Sequence, residues 1–268
     1  MVTAVASSRG VGELLRDWRQ RRRLSQLELS LETGISARHL SFVETGRSKP
    51  SRELLLQLAE HLEVPLRERS ALLMAAGYAP TYSETPLDTA AMGPVRQALD
   101  KILASHEPFP AVIVDRRWDL ISANTTALAL LSASVSPEML VPPVNVLRVS
   151  LHPKGLAPSI VNFAEYSAHL LTRLHRQALL SGDPSLAELH DELRAYPGVT
   201  SAPSIAVEPA SFLFVPLRLR VSSGEVLTFF STIATFGTAL DITLAELAIE
   251  SFFPADKQTE EALRAARQ

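Results

Sequence analysis

The chain has 268 residues, of which 46 % are hydrophobic and 21 % charged, and its formal net charge is −3. That length and composition suit two packed domains and exclude a disordered chain. The absence of cysteine excludes disulfides, thiolate metal sites, cysteine nucleophiles and cysteinyl flavin adducts. Charge is unevenly spread, with 12 basic and 9 acidic side chains in residues 1–80 against 14 and 20 in residues 81–268. The first part suits a nucleic-acid partner and the second does not. The N-terminus MVTAVASSRG lacks a basic segment followed by a long apolar core, and no apolar run approaches the roughly 18 residues needed to span a bilayer. A soluble, cytoplasmic protein is expected.

Residues 1–9 are small and polar. Val11, Leu14, Leu15 and Trp18 predict a first helix that ends in the cluster Arg19–Arg23. That cluster complements a helix C-terminus and is also placed to reach phosphate. The segment LSQLELSLETGISARHLSFVETGRSKP follows. Ser25 and Glu28 form the S-x-x-E of a capping box, and Leu24, Leu27 and Leu31 recur at helical spacing behind it. Gly34 suits the position after a helix, where positive φ is cheap. Ser36 is a second N-cap, and Leu40 and Val43 give the next helix its inward stripe before Thr45-Gly46 stops it. Two short helices about a glycine turn read either as an ordinary α-hairpin or as a helix-turn-helix whose second helix enters a major groove. Charge favours the latter: ten Lys/Arg stand against five Asp/Glu between Arg9 and Arg52, and the outer face of the second helix shows Arg38, His39 and Ser41.

SQLELSLETGISARHLSFVETGRSKPS resembles the DNA-binding domain of the Cro/CI-type phage repressors, the XRE family. Ser51 caps a fourth helix with Leu54, Leu55, Leu58 and Leu62 inward. Val64-Pro65 breaks it, and a fifth helix with Leu66, Leu72, Leu73 and Met74 closes at Gly77. An all-α, five-helix repressor-like domain over residues 10–78 is the expectation. In that fold the first turn of the recognition helix faces base edges, which places Ser36, Ala37, Arg38 and Ser41 there. Gln26 braces from the preceding helix, His39 and Phe42 flank the contact, and Arg47, Ser48 and Lys49 meet the backbone.

Residues 79–93, with APTYSETPLDTA, read as a linker. A helix from about Pro94 to Ser105 follows. Ala111–Val114 and Trp118–Ser122 predict two strands about a tight turn, and Asn124 caps a helix. A short segment with Val146, Leu147 and Leu151 comes next, then a long helix from about Ser159 to Leu180 and another from Pro184 to Ala195. Phe212–Val221 and Glu225–Phe236 are β-rich runs separated by the hairpin signal Ser222-Ser223-Gly224. The tail from Thr259 is a polar helix or frayed. Strands at both ends with helices between them predict an α/β domain with a mainly antiparallel sheet.

VDRRWDLISANTTALALL, NVLRVSLHPKGLAPSIVNFAEYSAHLLTRL and TFFSTIATFGTALDITLAELAIESFFPAD closely resemble the ligand-binding domain of the MmyB-like transcription regulators. The resemblance implies a PAS-like domain over residues 94–257, following an XRE-type head. Ala239 stands where members often have Pro. It also implies a small, largely apolar, fatty-acid-like ligand; the sheet of Ala111–Ile121 and Phe212–Phe236 is the expected wall of its cavity.

Catalytic signatures are missing from the sequence. Seven histidines show no H-E-x-x-H and no pair at i,i+4, no G-x-S-x-G elbow or Walker loop occurs, and Gly10-x-Gly12 lacks the rest of a dinucleotide fingerprint. No enzyme activity, cofactor or metal is expected. The candidate ligand residues are Asn124, His152 and His169 as polar anchors and Phe163, Phe230 and Phe236 as walls. The simpler readings are an N-cap for Asn124, satisfied imidazoles for the histidines and ordinary core for the phenylalanines. Two functions remain: a ligand-responsive DNA-binding regulator, or the same regulator with a C-terminal dimerisation or partner-docking module that binds no ligand. The expected partners are an operator duplex, a small apolar ligand and a second copy in a homodimer.

Overall fold

The computed structural model describes residues 9–200 and 214–266. Phe212 and Leu213, the start of one expected β-rich run, lie outside the described residues. Contacts divide the chain into two compact units: residues 1–85 with segments 179–182 and 238–245, and the remainder.

The N-terminal part of the first unit, residues 9–85, contains five α-helices: α1 (Val11–Arg21), α2 (Gln26–Thr33), α3 (Ala37–Glu44), α4 (Arg52–His61) and α5 (Leu66–Ala75). Their starts are set by side chains that accept orphan amides. Ser25 Oγ takes the Glu28 amide at 3.1 Å while the Glu28 carboxylate takes the Ser25 amide at 2.7 Å, completing the capping box. Ser36 caps α3 through the His39 amide and Ser51 caps α4 through the Leu54 amide, each at 3.2 Å. Gly34, at φ 72°, ends α2 in the left-handed conformation. Leu15, Trp18, Leu29, Leu40, Val43 and Leu58 meet in one buried core.

The stripe expected on α2 is corrected. Leu29, Ser30 and Thr33 are its buried residues, whereas Leu27 is 61 % and Leu31 75 % exposed. The capping box fixes where the helix begins but not which face turns inward, and Leu29 sits on the face that α3 and α4 cover. Met74, expected inward on α5, is also exposed, and Ala76 takes the buried place beyond the helix.

The second unit is α/β. Helix α6 (Gly93–Ser105) leads into β1 (Ala111–Val114) and β2 (Leu120–Ala123). Then come α7 (Thr125–Ser134), α8 (Val146–Leu151), α9 (Phe163–Ser181), α10 (Pro184–Arg194), β3 (Leu217–Arg220) and β4 (Val226–Thr235). Helix α11 (Ile242–Ala245), in the segment that counts with the first unit, precedes in the chain β5 (Ala248–Pro254) and α12 (Lys257–Ala265) of the second. The strands form one sheet in the order β2-β1-β5-β4-β3, antiparallel throughout. The hairpin at Ser222-Ser223-Gly224 forms as expected: Val221 and Glu225 close it, and Gly224 takes φ 90°.

Strand β5, the middle of the sheet, is where sequence reading fell short. AIESFFP interrupts its apolar residues with Glu250 and Ser251, so it lacks the alternation of β3 and β4. Val112, Leu219 and Phe252 on one sheet face pack with Leu147, Leu170 and Leu174 of α8 and α9. The tail is a helix, α12, whose Leu263 packs with Leu227 and Phe229.

Candidate functional site

In the first unit, side-chain pairing sorts the basic residues into two groups. Arg19 is buried and grips Glu44 at the end of α3 through two parallel bonds, Nε to Oε1 at 2.7 Å and Nη2 to Oε2 at 2.9 Å. It also donates to the Leu24 carbonyl at 2.6 Å. The Glu44 carboxylate raises the Arg19 pKa above its ordinary value, through the hydrogen bond first. Arg22 donates to the Leu62 and Glu63 carbonyls, both at 2.8 Å, where α4 ends. Arg19 therefore serves packing and not phosphate, which corrects the double role for that one residue of the cluster; Arg21 and Arg23 are exposed. Gly12 belongs to the same junction: a Cβ there would overlap the Val43 and Glu44 carbonyl oxygens, so α1 crosses α3 in close contact.

The second group is Arg38, Arg47 and Lys49, all exposed and in no ion pair among the described residues. The Arg38 guanidinium lies 5.4 Å and that of Arg47 6.0 Å from the Phe42 ring centroid, so the half-buried ring spaces two cations. The loop after α3 folds back to hold this arrangement: the Arg47 and Ser48 amides donate to the Phe42 carbonyl at 2.8 and 3.1 Å. Lys49 stands 5.2 Å from the centre of the Tyr78 ring. Ser36, Arg38 and His39 are exposed on the first turn of α3, and Ala37, Ser41 and Phe42 are half-buried. Gln26 is oriented from α2 by Glu44, its Nε2 donating to Oε2 at 2.8 Å. Ten sequence-predicted residues thus sit on α3, its following loop and the start of α2.

In the second unit a cavity of about 90 Å³ lies between the sheet and helices α7, α8 and α9. Val112, Leu130, Val146, Leu170, Leu219 and Phe252 are among its apolar lining. Its polar lining is Ser150, Tyr166, Arg173 and Glu250. Arg173 is fixed on two sides, 4.4 Å from the centre of the Trp118 ring and 3.1 Å from Glu250 Oε1. Trp118 in turn takes φ 68° in the β1–β2 turn and donates through Nε1 to Gln177 at 2.8 Å. Burial pushes the Tyr166 phenol well above its ordinary pKa, with the Glu250 charge adding to it, so it stays protonated.

The six sequence-predicted ligand residues do not gather around this cavity. Asn124 is a buried cap: its Oδ1 accepts from the Ala111 and Ala127 amides at 3.1 and 3.0 Å, and Nδ2 donates to the Phe109 carbonyl at 2.7 Å. His152 accepts from the Lys154 amide at 3.1 Å and meets the Tyr196 ring edge-on. Phe163 packs beside Gly198, and Phe230 stacks with Phe253 at 5.2 Å. Phe236 is half-buried beyond the end of β4. His169 lines a small neighbouring cavity that shares Tyr166, Leu170, Arg173, Leu217, Phe229 and Phe252 with the main one.

Residues 95–266 match the family model described as MmyB-like transcription regulator ligand binding domain, and residues 15–69 match the one described as Helix-turn-helix. The chain belongs to the MmyB-like transcription regulators. It is a DNA-binding transcription regulator in which a five-helix head precedes an α/β ligand-binding domain. No curated protein matches it. Two solved structures resemble it weakly. The first, a structure of a single-residue variant of RsLOV, is 16 % identical, with 64 % of this chain and 77 % of that one covered and a TM-score of 0.29. The second, "Structure of an RNA-binding Light-Oxygen-Voltage Receptor", is 10 % identical over 98 % of this chain, which spans 65 % of that one, with a TM-score of 0.29.

For this MmyB-like regulator, the residues that sequence reading missed are Tyr166, Arg173 and Glu250. A signal existed for two of them. Tyr166, Leu170 and Arg173 recur at i, i+4 and i+7 of α9, which puts a phenol and a guanidinium on one apolar stripe. Among the described residues no helix is long and apolar enough to cross a membrane, and no three His, Asp or Glu side chains cluster as metal ligands.

Proposed function

We propose that this regulator senses a small, largely apolar molecule in its C-terminal cavity and answers by changing its hold on an operator. The observation that carries the proposal is that cavity, walled by aliphatic and aromatic side chains and closed by a few polar groups, within a domain of a ligand-binding family. At about 90 Å³ it is smaller than the engineered cavity of about 150 Å³ that holds benzene. A short chain therefore suits it as it stands, and a long fatty-acyl chain requires its walls to part.

On the DNA side, Arg38 reads a guanine edge from the first turn of α3, with Ser36, Ala37 and Ser41 beside it and Gln26 bracing. Arg47, Ser48 and Lys49 hold phosphate, and His39 and Phe42 flank the contact. The exposure of Arg38, Arg47 and Lys49, free of carboxylate partners among the described residues, supports these roles. Our boundaries are residues 10–78 for the head, 79–93 for the linker and 94–257 for the ligand-binding domain. One short reading helix makes few contacts, so the working form is a homodimer on half-sites about 34 Å apart. Sedimentation of a monomer at micromolar concentration, both free and on operator DNA, would exclude that form.

The test of the sensor reading is solvent extraction of purified full-length protein followed by mass spectrometry. Recovery of a stoichiometric apolar molecule supports it. Empty protein that binds its operator with full affinity and answers no added amphiphile leaves the C-terminal domain as a dimerisation module.

A further inference from the structure

The cavity has one polar end, and the groups there do not suit an anion. Tyr166 and Arg173 reach it from α9, Glu250 from β5 and Ser150 from α8. Glu250 Oε1 is already used, accepting from Arg173 Nη1 at 3.1 Å and from Ser231 Oγ at 2.9 Å. Ser150 donates to the Val146 carbonyl at 2.8 Å. Glu250 Oε2 and the Tyr166 hydroxyl take no hydrogen-bond partner among the described residues, although Glu250 is 4 % and Tyr166 7 % exposed. Both residues line the cavity, so these oxygens are open to a hydrogen bond from whatever fills it. The cavity thus offers one bare acceptor, one bare phenol and the remaining donors of an arginine.

Charge decides what completes the set. One guanidinium and one carboxylate sum to zero, and the phenol is neutral. His169, in the adjoining cavity, is pushed toward its neutral form, by burial first and by Arg173 second. A carboxylate entering this end would bring an uncompensated charge into a mostly apolar cavity and set it against Glu250, which is costly. A neutral group that accepts from Tyr166 and donates to Glu250 Oε2 would pair both of these oxygens.

We propose that the ligand is an uncharged amphiphile whose head group both donates and accepts hydrogen bonds, of the primary amide or alcohol class, with its aliphatic part among Val112, Leu130, Val146, Leu170 and Phe252. This rests on the sensor reading and specifies the ligand's chemistry. Acids enter only with their proton.

The experiment is calorimetric titration of full-length protein, stripped of bound molecules on a hydrophobic resin, at about pH 7.5. The probes are butanamide, hexanamide and octanamide with the matching alcohols and carboxylates. Amides and alcohols are expected to bind at least about tenfold tighter than carboxylates of equal length, since one unpaired charge in a dry site exceeds the roughly 1.4 kcal/mol that a factor of ten represents. Glu250→Gln keeps the shape and the Arg173 and Ser231 contacts but leaves the guanidinium uncompensated, so it should bring the carboxylate level with or ahead of the amide. A merely structural role for Glu250 would weaken all probes alike. Tighter binding of carboxylate than amide by the wild type, or a ratio unmoved by Glu250→Gln, overturns the head-group inference and leaves the sensor reading standing. If Glu250→Gln does not fold, the wild-type ratio decides alone. Failure of every probe at every length overturns both readings.

Discussion

The posture of the reading helix depends on a buried ion pair, and removing half of it should cost the head much of its stability. Arg19 and Glu44 side chains are 9 % and 2 % exposed, so each is nearly dry and each is the other's only charge partner among the described residues. Arg19→Met would leave the Glu44 carboxylate buried with Gln26 as its only side-chain donor. Breaking one side of a buried pair costs about 3–5 kcal/mol, whereas replacing both sides with apolar groups is often neutral. A domain of this size has roughly 4–10 kcal/mol in total. The single variant should therefore lose much of the head's stability, lowering its urea midpoint by about 2 M or more. The double variant Arg19→Met with Glu44→Leu should recover most of that loss. Hydrogen exchange of α1 and α3 peptides across a urea series reads the head separately from the other unit. A single variant within about 1 kcal/mol of wild type, or a double variant no better than the single, would refute the reasoning.

Other substitutions test the two sites. Arg38→Ala should relax preference at one base pair by about 1–3 kcal/mol in a binding-site selection, whereas Arg47→Ala and Lys49→Ala should weaken all sequences alike and flatten the salt dependence. Equal loss of specific and non-specific binding in Arg38→Ala would remove its base-reading role. Ala127→Leu adds three carbons at a buried position lining the cavity and should abolish amphiphile binding while operator binding persists. Glu192 is held below the usual carboxylate range, by its hydrogen bond from Arg148 first, at 2.8 and 2.7 Å, with Tyr196 adding to it. Its folded pKa lies below its unfolded value of about 4.3, so its contribution is present above that pH and lost as pH falls through the folded pKa. Glu192→Gln should therefore be slightly less stable than wild type at neutral pH, by less than about 1 kcal/mol for so exposed a pair. The two should converge in urea titrations as pH falls through the folded pKa of Glu192; a gap that persists once the carboxyl is protonated would contradict the assignment.

Local chemistry made the head readable. Ser25 with Glu28, Ser36, Ser51 and Gly34 each announce a helix end through their own side chain or lack of one, and the structure uses all of them. What they do not announce is rotation, which packing decides; hence Leu27 and Leu31 lie outside while Leu29 lies within. The hairpin at Ser222-Ser223-Gly224 is equally local. Strand β5 is not, because Glu250 is tolerated at its centre only through Arg173 and Ser231, partners far away in sequence. The same long-range pairing hid the polar end of the cavity. Asn124 and His152 stood out because their types suggest chemistry, yet neighbours in the chain already use them.

The central claim is that the C-terminal cavity governs the head. A ligand achieves that only if it binds two arrangements of the protein with different affinity. The deciding measurement is operator affinity of stripped full-length protein with and without saturating hexanamide, or the extracted molecule if one is recovered. The account predicts a change of about 5- to 150-fold, a coupling of roughly 1–3 kcal/mol, absent in Ala127→Leu. Identical operator affinity for stripped and loaded wild type would contradict it.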